Sequence, residues 1–353
     1  MAHFFVKTCD ARVAVSGIRL APLLVFPQTA SNYVGHHMKY KILNTISEYP
    51  EEAKKVIERL GTVDYKQLTQ EELNACIAEY NIILVQLGLN LHKEALDRAT
   101  RLQVIATSTT GLDHIDVAYA QTKRIEVISL RGEDAFLRTI TGTAELAFCM
   151  LIELARKTLW AFDSVKSQVW DRDLFRGHNL SGMTLGIVGL GRLGSLMAQY
   201  GKAFNMNVIY IDPNVTNPAY KKVTLDEVLR ESDAISIHVH LKEDTENMFN
   251  AEAFAQMKRS TYLINTSRGK IVNEEAVLEA LKRGALAGYG TDVLAGELDF
   301  NGKMFSTYPL VEYAKTHDTA IILPHIGGMT VESRIATDLF IAKKTLGYLE
   351  QGR

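Results

Sequence analysis

The sequence lacks the features that mark several protein classes. Its three cysteines, Cys9, Cys76 and Cys149, are odd in number and widely spaced, which fits neither a disulfide framework nor a zinc site and favours a reducing compartment. No uninterrupted apolar run reaches the roughly eighteen residues of a membrane span, so we expect no membrane partner. The 39 Lys and Arg residues against 41 Asp and Glu residues leave a net charge of −2. Because a basic excess drives binding to a phosphate backbone, nucleic acid is not an expected partner either.

A hydrophobic content of 47% with 23% charged residues is typical of a globular chain, and a length of 353 residues predicts two domains. Residues 1–37 differ from the rest, because they contain three basic side chains and the single acid Asp10. We expect this segment to be a disordered or mis-started extension before Met38, or a targeting segment, with a structured arm as the third possibility. The expected location is cytoplasmic, or organellar if residues 1–37 are a transit peptide.

Short apolar strands alternate with helical patterns from Met38 onward. MKYKILNTI predicts a first strand, and PEEAKKVIERLG predicts a helix stopped by Gly61. The long apolar stretch 139–160 predicts a packed core helix between two such series. The remaining predicted strands cover 82–85, 103–107, 126–129, 184–188, 207–211, 234–238 and 261–265, and the predicted helices cover 93–99, 117–122 and 225–231, with one more from Arg192. Since parallel strands need crossover connections, this alternation predicts an α/β fold with parallel sheets.

The segment TLGIVGLGRLGSLMAQYGKAF contains the strongest local motif. Gly189, Gly191 and Gly194 form a GxGxxG between an apolar strand and a helix, the arrangement that binds the pyrophosphate of a dinucleotide. Asp212 follows the next strand, in NVIYIDP, where its carboxylate would accept hydrogen bonds from ribose hydroxyls. Because no cation adjoins Asp212 to meet a 2′-phosphate, we expect NAD and not NADP. An aspartate that caps the following turn is the alternative interpretation.

Polar side chains also follow three later strands. Arg268 lies in LINTSRGKIVNEEAV, Asp292 and Glu297 lie in GYGTDVLAGELDF, and His325 lies in AIILPHIGGMT. The carboxyl ends of parallel strands form the ligand crevice of such sheets, so these side chains are candidate site residues. Taken singly, Arg268 is equally well a surface ion pair, Glu297 a solvated loop acid and His325 a capping residue.

Together with the glycine loop, these segments resemble the D-isomer-specific 2-hydroxyacid dehydrogenase family from about Met38 to the C-terminus. The motifs that carry the resemblance are, in order, ATSTTGLDHID, TAELAFCMLIELAR, the GxGxxG with its aspartate, NTSRG, TDVLAGE and LPHIGG. The resemblance implies two Rossmann-like, doubly wound parallel-sheet domains, with the NAD domain inserted into the substrate domain. Residues 38–138 and 329–353 would then form the substrate domain, closed by the last helix, and residues 139–328 the NAD-binding domain.

The resemblance also implies roles for single residues. Arg268 would hold the substrate carboxylate and polarise the carbonyl. His325 would be the proton donor and acceptor at the substrate oxygen, with Glu297 as a partner that favours the imidazolium form. The backbone around Thr109, Thr110 and Gly111 would face the substrate carboxylate from the other domain. Besides the three glycines and Asp212, the positions that match cofactor-lining residues are Thr143, Arg192, Leu193, Val239, His240, Thr245, Thr266, Ser267, Arg268 and Asp292; the family often has proline where His240 lies.

The implied activity is reversible hydride transfer between NAD and a 2-oxo or (R)-2-hydroxy acid, without a metal. Domain closure on a hinge near 136–139 and 328–330 would exclude water. A homodimer is expected, with the 139–160 region near its interface. An NAD(H)-sensing, corepressor-like binding protein of the same fold, with little turnover, is the alternative function.

Departures from the family pattern narrow these expectations. Formate dehydrogenases pair their histidine with a glutamine, so Glu297 disfavours formate oxidation. Leu298 replaces the proline that commonly follows the glutamate, and we expect it to change loop stiffness more than chemistry. The chain ends at Arg353, which leaves no room for the C-terminal regulatory module of some phosphoglycerate dehydrogenases, so serine feedback through such a module is not expected.

Overall fold

The computed structural model describes residues 40–297, 300 and 307–351. The chain divides into two units, Met1–His37 and Met38–Arg353, and all described residues belong to the second. The prediction for residues 1–37 and the position of Leu298 therefore lie outside the described residues.

The first sheet has five parallel strands in the order β2-β1-β3-β4-β5. Its inner strands β3 and β4 are runs of β-branched and aliphatic residues buried on both faces, as the middle of a parallel sheet requires. The strands are β1 (Tyr40–Asn44), β2 (Gly61–Tyr65), β3 (Ile82–Val85), β4 (Val104–Thr107) and β5 (Glu126–Ile128), and the crossover helices are α1 (Glu51–Ile57), α2 (Gln70–Cys76), α3 (Lys93–Arg98) and α4 (Val117–Thr122).

The second sheet has seven parallel strands in the order β12-β11-β10-β9-β6-β7-β8. The chain runs outward from β6 in one direction through β7 and then returns to β9 on the other side. Its strands are β6 (Thr184–Val188), β7 (Asn207–Ile211), β8 (Lys221–Lys222), β9 (Ala234–Ile237), β10 (Tyr262–Asn265), β11 (Gly288–Thr291) and β12 (Ala320–Ile322). The helices before and around it are α5 (Asp134–Leu137), α6 (Gly142–Arg156), α7 (Thr158–Lys166), α8 (Arg192–Ala203), α9 (Leu225–Glu231), α10 (Ala251–Gln256), α11 (Glu274–Lys282) and α12 (Pro309–Ala314). The predicted α/β class with two parallel-sheet units is confirmed.

Two local predictions need correction. The stretch 139–160 forms no single core helix: α6 ends at Arg156, the next residue Lys157 is left-handed (φ 54), and the helix that follows, α7, has no buried residue. Gly61 does not stop α1, which ends at Ile57, but begins β2. A Cβ at Gly61 would lie 2.0 Å from the carbonyl oxygen of Tyr40, so this glycine is needed where β2 approaches β1.

Helix α6 explains the apolar character of its segment. Among the described residues, Asp134–Arg156 is long and apolar enough to cross a membrane, with a mean hydropathy of 1.4. In the structure, however, α6 packs against α8, β10 and β11 and buries Ala147, Met150, Leu151 and Leu154 there. A helix in the core of a folded domain can be as long and apolar as one that spans a membrane. The composition of this segment is therefore only weak evidence for a membrane span.

The last helix, α13 (Val331–Glu350), packs against α1, β4 and β5 of the five-stranded sheet. Its Phe340 ring stacks on Phe136 with a centroid distance of 4.1 Å, and Glu350 pairs with Arg59 at 3.0 Å. The chain's last helix thus lies on the sheet formed by its first strands; the domain division into residues 38–138 with 329–353 and residues 139–328 stays a prediction.

Candidate active site

The candidate site lies along the carboxyl edge of the seven-stranded sheet. The glycine loop follows β6, and the segments with His240, Arg268, Asp292 and His325 follow β9, β10, β11 and β12. The strand order reverses between β6 and β9, and ligands of open α/β sheets bind at such a point.

The glycine loop has the backbone that the motif predicts. Gly189 has a φ of +91, and a Cβ there would lie 2.5 Å from the carbonyl oxygen of His238 and 2.8 Å from a methyl of Val239. A Cβ on Gly194 would lie 2.0 Å from the carbonyl oxygen of Gly189. Gly191, the N-cap of α8, has open space where a Cβ would be. The start of α8 therefore offers unhindered backbone N–H groups to an anion.

Asp212 lies at the end of β7 and is buried. Its Oδ2 accepts a hydrogen bond from the N–H of Leu190 at 2.8 Å, and its Oδ1 accepts from the N–H groups of Asn214 at 2.8 Å and Val215 at 2.9 Å. The carboxylate thus caps the following turn, as the alternative interpretation states, and also holds the glycine loop. Each carboxylate oxygen accepts more than one bond, so this contact leaves capacity for ribose hydroxyls.

The loops after β9 and β10 supply further polar groups. The hydroxyl of Thr245 donates to the carbonyl of His240 at 2.7 Å, which closes the loop after β9. The hydroxyl of Ser267 donates to the carbonyl of Ile237 at 2.8 Å. Thr266 is buried, and its hydroxyl has no partner among the described residues. A buried hydroxyl without a partner is costly, so it fits a site whose ligand completes the hydrogen bond. Val239 and Leu193 are half-buried beside the loop.

Three residues predicted to line the cofactor also have protein partners. Arg192 Nη1 donates to the carbonyl of Leu137 at 3.1 Å and to that of Ile140, which ties the glycine loop to the crossover between the two sheets. The Asp292 carboxylate accepts the N–H groups of Ile326 and Gly327, each at 2.7 Å, and burial raises its pKa. Thr143 packs against Gly327: a Cβ on Gly327 would lie 3.1 Å from the methyl group of Thr143.

His325 and Glu297 meet as predicted. His325 Nδ1 lies 2.9 Å from Glu297 Oε1, and the two side chains are 31% and 19% exposed. An ionised carboxylate only accepts hydrogen bonds, so the proton of this pair lies on Nδ1. Nε2 has no partner among the described residues and is left to exchange a proton with a ligand. The backbone of His325 is left-handed, with a φ of 55, and the Asp292 contacts hold the residues just after it.

Arg268 reaches the loop after β4. A Cβ on Gly111 would lie 1.6 Å from Arg268 Nη2, so the guanidinium occupies the space that only a glycine leaves open. Thr109 is half-buried and its hydroxyl donates to the carbonyl of Gly111 at 2.7 Å, whereas Thr110 is exposed. No backbone N–H of residues 109–111 donates a hydrogen bond within the described part of the chain. The structure therefore places Gly111 beside the arginine, in a loop whose N–H groups are unpaired among the described residues, an arrangement that suits a carboxylate.

Two features of this loop were not predicted. Asp113 pairs with Arg268, with 2.9 Å between Oδ2 and Nε, and His114 is fully buried beneath it. The motif GLDHID contains both residues, but no spacing rule points to either, because Asp113 pairs with a residue of the other sheet's loops and His114 is buried by tertiary packing. Asn265 was also missed: its side chain binds the N–H of Ser267 and the carbonyl of Arg268, which shapes the turn after β10.

We expect His114 to make the protein acid-sensitive. Burial lowers its pKa from 6.5 to about 4, with Asp113 opposing the shift and Arg268 and His92 adding to it. A folded-state pKa below the unfolded value leaves stability intact above pH 6.5 and removes it as the pH falls toward 4, by about 2 kcal/mol at pH 5. Urea unfolding at pH 7 and pH 5 should show a smaller loss for His114→Asn than for the wild type. Equal losses in the two proteins would contradict this assignment.

Known proteins with similar sequences are dehydrogenases and reductases of 2-hydroxy and 2-oxo acids. Residues 148–327 match the family model described as D-isomer specific 2-hydroxyacid dehydrogenase, NAD binding domain. A glyoxylate reductase from Thermococcus litoralis is 32% identical over 327 residues, which cover 88% of this chain and 94% of that protein. A D-3-phosphoglycerate dehydrogenase from Bacillus subtilis is 34% identical over 274 residues, 76% of this chain and 49% of that protein. The chain thus spans only about half the length of that relative.

A solved structure shares the fold over most of both chains. The D-lactate dehydrogenase from Aquifex aeolicus, complexed with NAD and lactic acid, superposes with a TM-score of 0.76 at 29% identity, covering 88% of this chain and 97% of that one.

Proposed function

This chain belongs to the D-isomer-specific 2-hydroxyacid dehydrogenase family, and we propose on that premise that it transfers a hydride between NAD and a 2-oxo or (R)-2-hydroxy acid. The observation that carries the proposal is the His325–Glu297 pair at 2.9 Å, on the same sheet edge as Arg268. The predicted family is confirmed, and NAD is the cofactor that its NAD-binding domain takes.

Different residues of this chain bind the substrate, donate the proton and hold the proton donor in place. NADH supplies the hydride when it is bound. Arg268 Nη2 and the free N–H groups of residues 109–111 bind the substrate carboxylate. Glu297 keeps the proton on Nδ1 of His325, so that Nε2 donates its own proton to the oxygen that gains charge during reduction. Closure about 136–139 and 328–330 excludes water from this step, and the Arg192 contacts join the glycine loop to the first of these segments.

Michaelis kinetics on a panel of 2-oxo acids, with NADH and with NADPH, test the proposal. We expect turnover of at least one 2-oxo acid and a catalytic efficiency at least about tenfold higher with NADH, because Asp212 would repel a 2′-phosphate. Formate with NAD should give no reaction. Tight NADH binding without turnover on any acid would instead favour the corepressor-like alternative, and a preference for NADPH would contradict the role of Asp212.

A homodimer is part of the proposal, and the surface around α7 supports it. Its apolar side chains are unusually exposed: Phe162 is 64% exposed, Trp170 89% and Leu174 58%. An apolar patch of this kind marks an interaction surface. The partner we propose is a second copy of the chain, because the patch begins just after the 139–160 region, near which the family resemblance puts the interface.

We expect Trp170→Asp to convert the dimer to a monomer, since a charge at the centre of an apolar interface is left without a partner. Light scattering after size exclusion should give the 39.4 kDa mass of one chain for this variant and twice that mass for the wild type. Trp170→Phe, which keeps an apolar ring, is the matched control and should remain dimeric. A monomeric wild type would refute the dimer.

A further inference from the structure

One ion pair joins the two sheets at the candidate site. Asp113 follows β4 of the five-stranded sheet and Arg268 follows β10 of the seven-stranded sheet, and Oδ2 lies 2.9 Å from Nε. Burial by itself raises the pKa of Asp113, but the charge and hydrogen bond of Arg268 outweigh it and hold that pKa below its ordinary value. Arg268 therefore favours the charged form of this carboxylate.

The contacts of Arg268 leave one end of its guanidinium free. A guanidinium has five N–H donors. Asp113 accepts the one on Nε, and the carbonyl of Ser267 accepts one from Nη1 at 2.7 Å. The two N–H groups of Nη2 and one N–H group of Nη1 remain, and Nη2 lies against Gly111. The free donors thus face the loop whose backbone N–H groups are also unpaired.

We propose that Asp113 is a positioning residue for 2-oxo acid binding: it fixes the Arg268 guanidinium from the opposite sheet, with Nη2 directed at the substrate carboxylate. This role rests on the proposed function. An arginine side chain has several rotamers, and holding it in one of them before the substrate arrives removes an entropy cost from binding. Ser267 adjoins Arg268 in the chain, whereas Asp113 supplies a contact from across the cleft.

The opposite role, a carboxylate that competes with the substrate for Arg268, fits the contacts less well. A competitor would occupy the Nη1 and Nη2 end, where a substrate carboxylate makes two parallel hydrogen bonds. Asp113 instead binds at Nε. The two roles predict opposite changes when the carboxylate is removed, which makes them separable by kinetics.

The test compares Asp113→Ala and Asp113→Asn with the wild type, using NADH and the best 2-oxo acid of the panel. We expect Asp113→Ala to raise KM about tenfold and to change kcat by less than about threefold, since Arg268 keeps its charge and its contact with Ser267 and the loss falls mainly on ground-state binding. Asp113→Asn keeps an oxygen that accepts from Nε, so its KM should lie between the other two. NADH affinity, measured by fluorescence titration, should not change.

Two further variants separate positioning from general damage. Gly111→Ala puts a Cβ 1.6 Å from Nη2 and 3.1 Å from Asp113 Oδ2, and it should raise KM although the Asp113 carboxylate is still present. Asp116→Ala removes the cap of α4, which binds the N–H of Tyr119; it should lower stability but keep the wild-type KM.

The outcomes distinguish this role from the function on which it rests. A KM for Asp113→Ala equal to that of an active wild type would overturn the positioning role, and a lower KM would establish competition. A crystal structure of Asp113→Ala with Arg268 unmoved would also overturn it. Failure of the proposed function appears instead in the wild type, as absence of turnover on every acid of the panel.

Discussion

Replacing His325 by glutamine is expected to lower kcat for 2-oxo acid reduction by about 10²–10⁴-fold, the usual contribution of a positioned general acid. Glutamine retains a polar side chain of similar reach but has no group that titrates. Nε2 of His325 is the atom without a protein partner, while Nδ1 is held by Glu297 at 2.9 Å. Because the loss is confined to proton transfer, NADH affinity measured by fluorescence should remain within about twofold of the wild-type value.

His317→Gln provides the matched control for this experiment. His317 precedes β12, whereas His325 follows it, so the two histidines lie at opposite ends of one strand. His317 stacks on Tyr313 at a centroid distance of 3.9 Å, and its replacement should leave kcat unchanged. If the His325→Gln variant kept most of the wild-type kcat, a different group would have to donate the proton.

The sequence predicted the strands well because most of them are continuous apolar runs between polar turns. The bounds predicted for β3, β6 and β7 agree with the structure residue by residue. Strand β2 was not predicted, since GTVDY alternates polar and apolar residues over only four positions, lies at the edge of the sheet and is only partly buried. Its pairing with β1 follows from tertiary contact and not from local pattern.

Some residues of the candidate site were likewise predicted from the sequence, and others were not. Arg268, Glu297 and His325 were predicted because the carboxyl ends of parallel strands share one edge, a rule that needs only strand order. The Asp113–Arg268 pair joins residues 155 positions apart, and the Arg192 contact with Leu137 joins residues 55 positions apart. Both depend on how the two sheets face each other, which no sequence period encodes.

Replacing Arg268 by lysine should lower kcat/KM for the 2-oxo acid by about 10²–10³-fold, comparable to the loss of one donor at a developing oxyanion. The guanidinium contacts Asp113 through Nε and Ser267 through Nη1, and it keeps Nη2 for the substrate. A lysine ammonium is a single point and does not make these three contacts at once, although it preserves the charge.

The kinetic constants of Arg268→Lys also show whether the arginine acts in substrate binding, in the transition state, or in both. An increase in KM alone would mean that the guanidinium only binds the carboxylate, whereas a fall in kcat as well would mean that it also stabilises charge on the carbonyl oxygen. We expect both changes, because Nη1 and Nη2 present N–H donors from one planar group. Arg259→Lys is the control, since Arg259 is exposed and precedes β10, at the end of the strand away from Arg268. Wild-type constants for Arg268→Lys would show that charge alone is sufficient, and the geometric argument for Asp113 would fail with it.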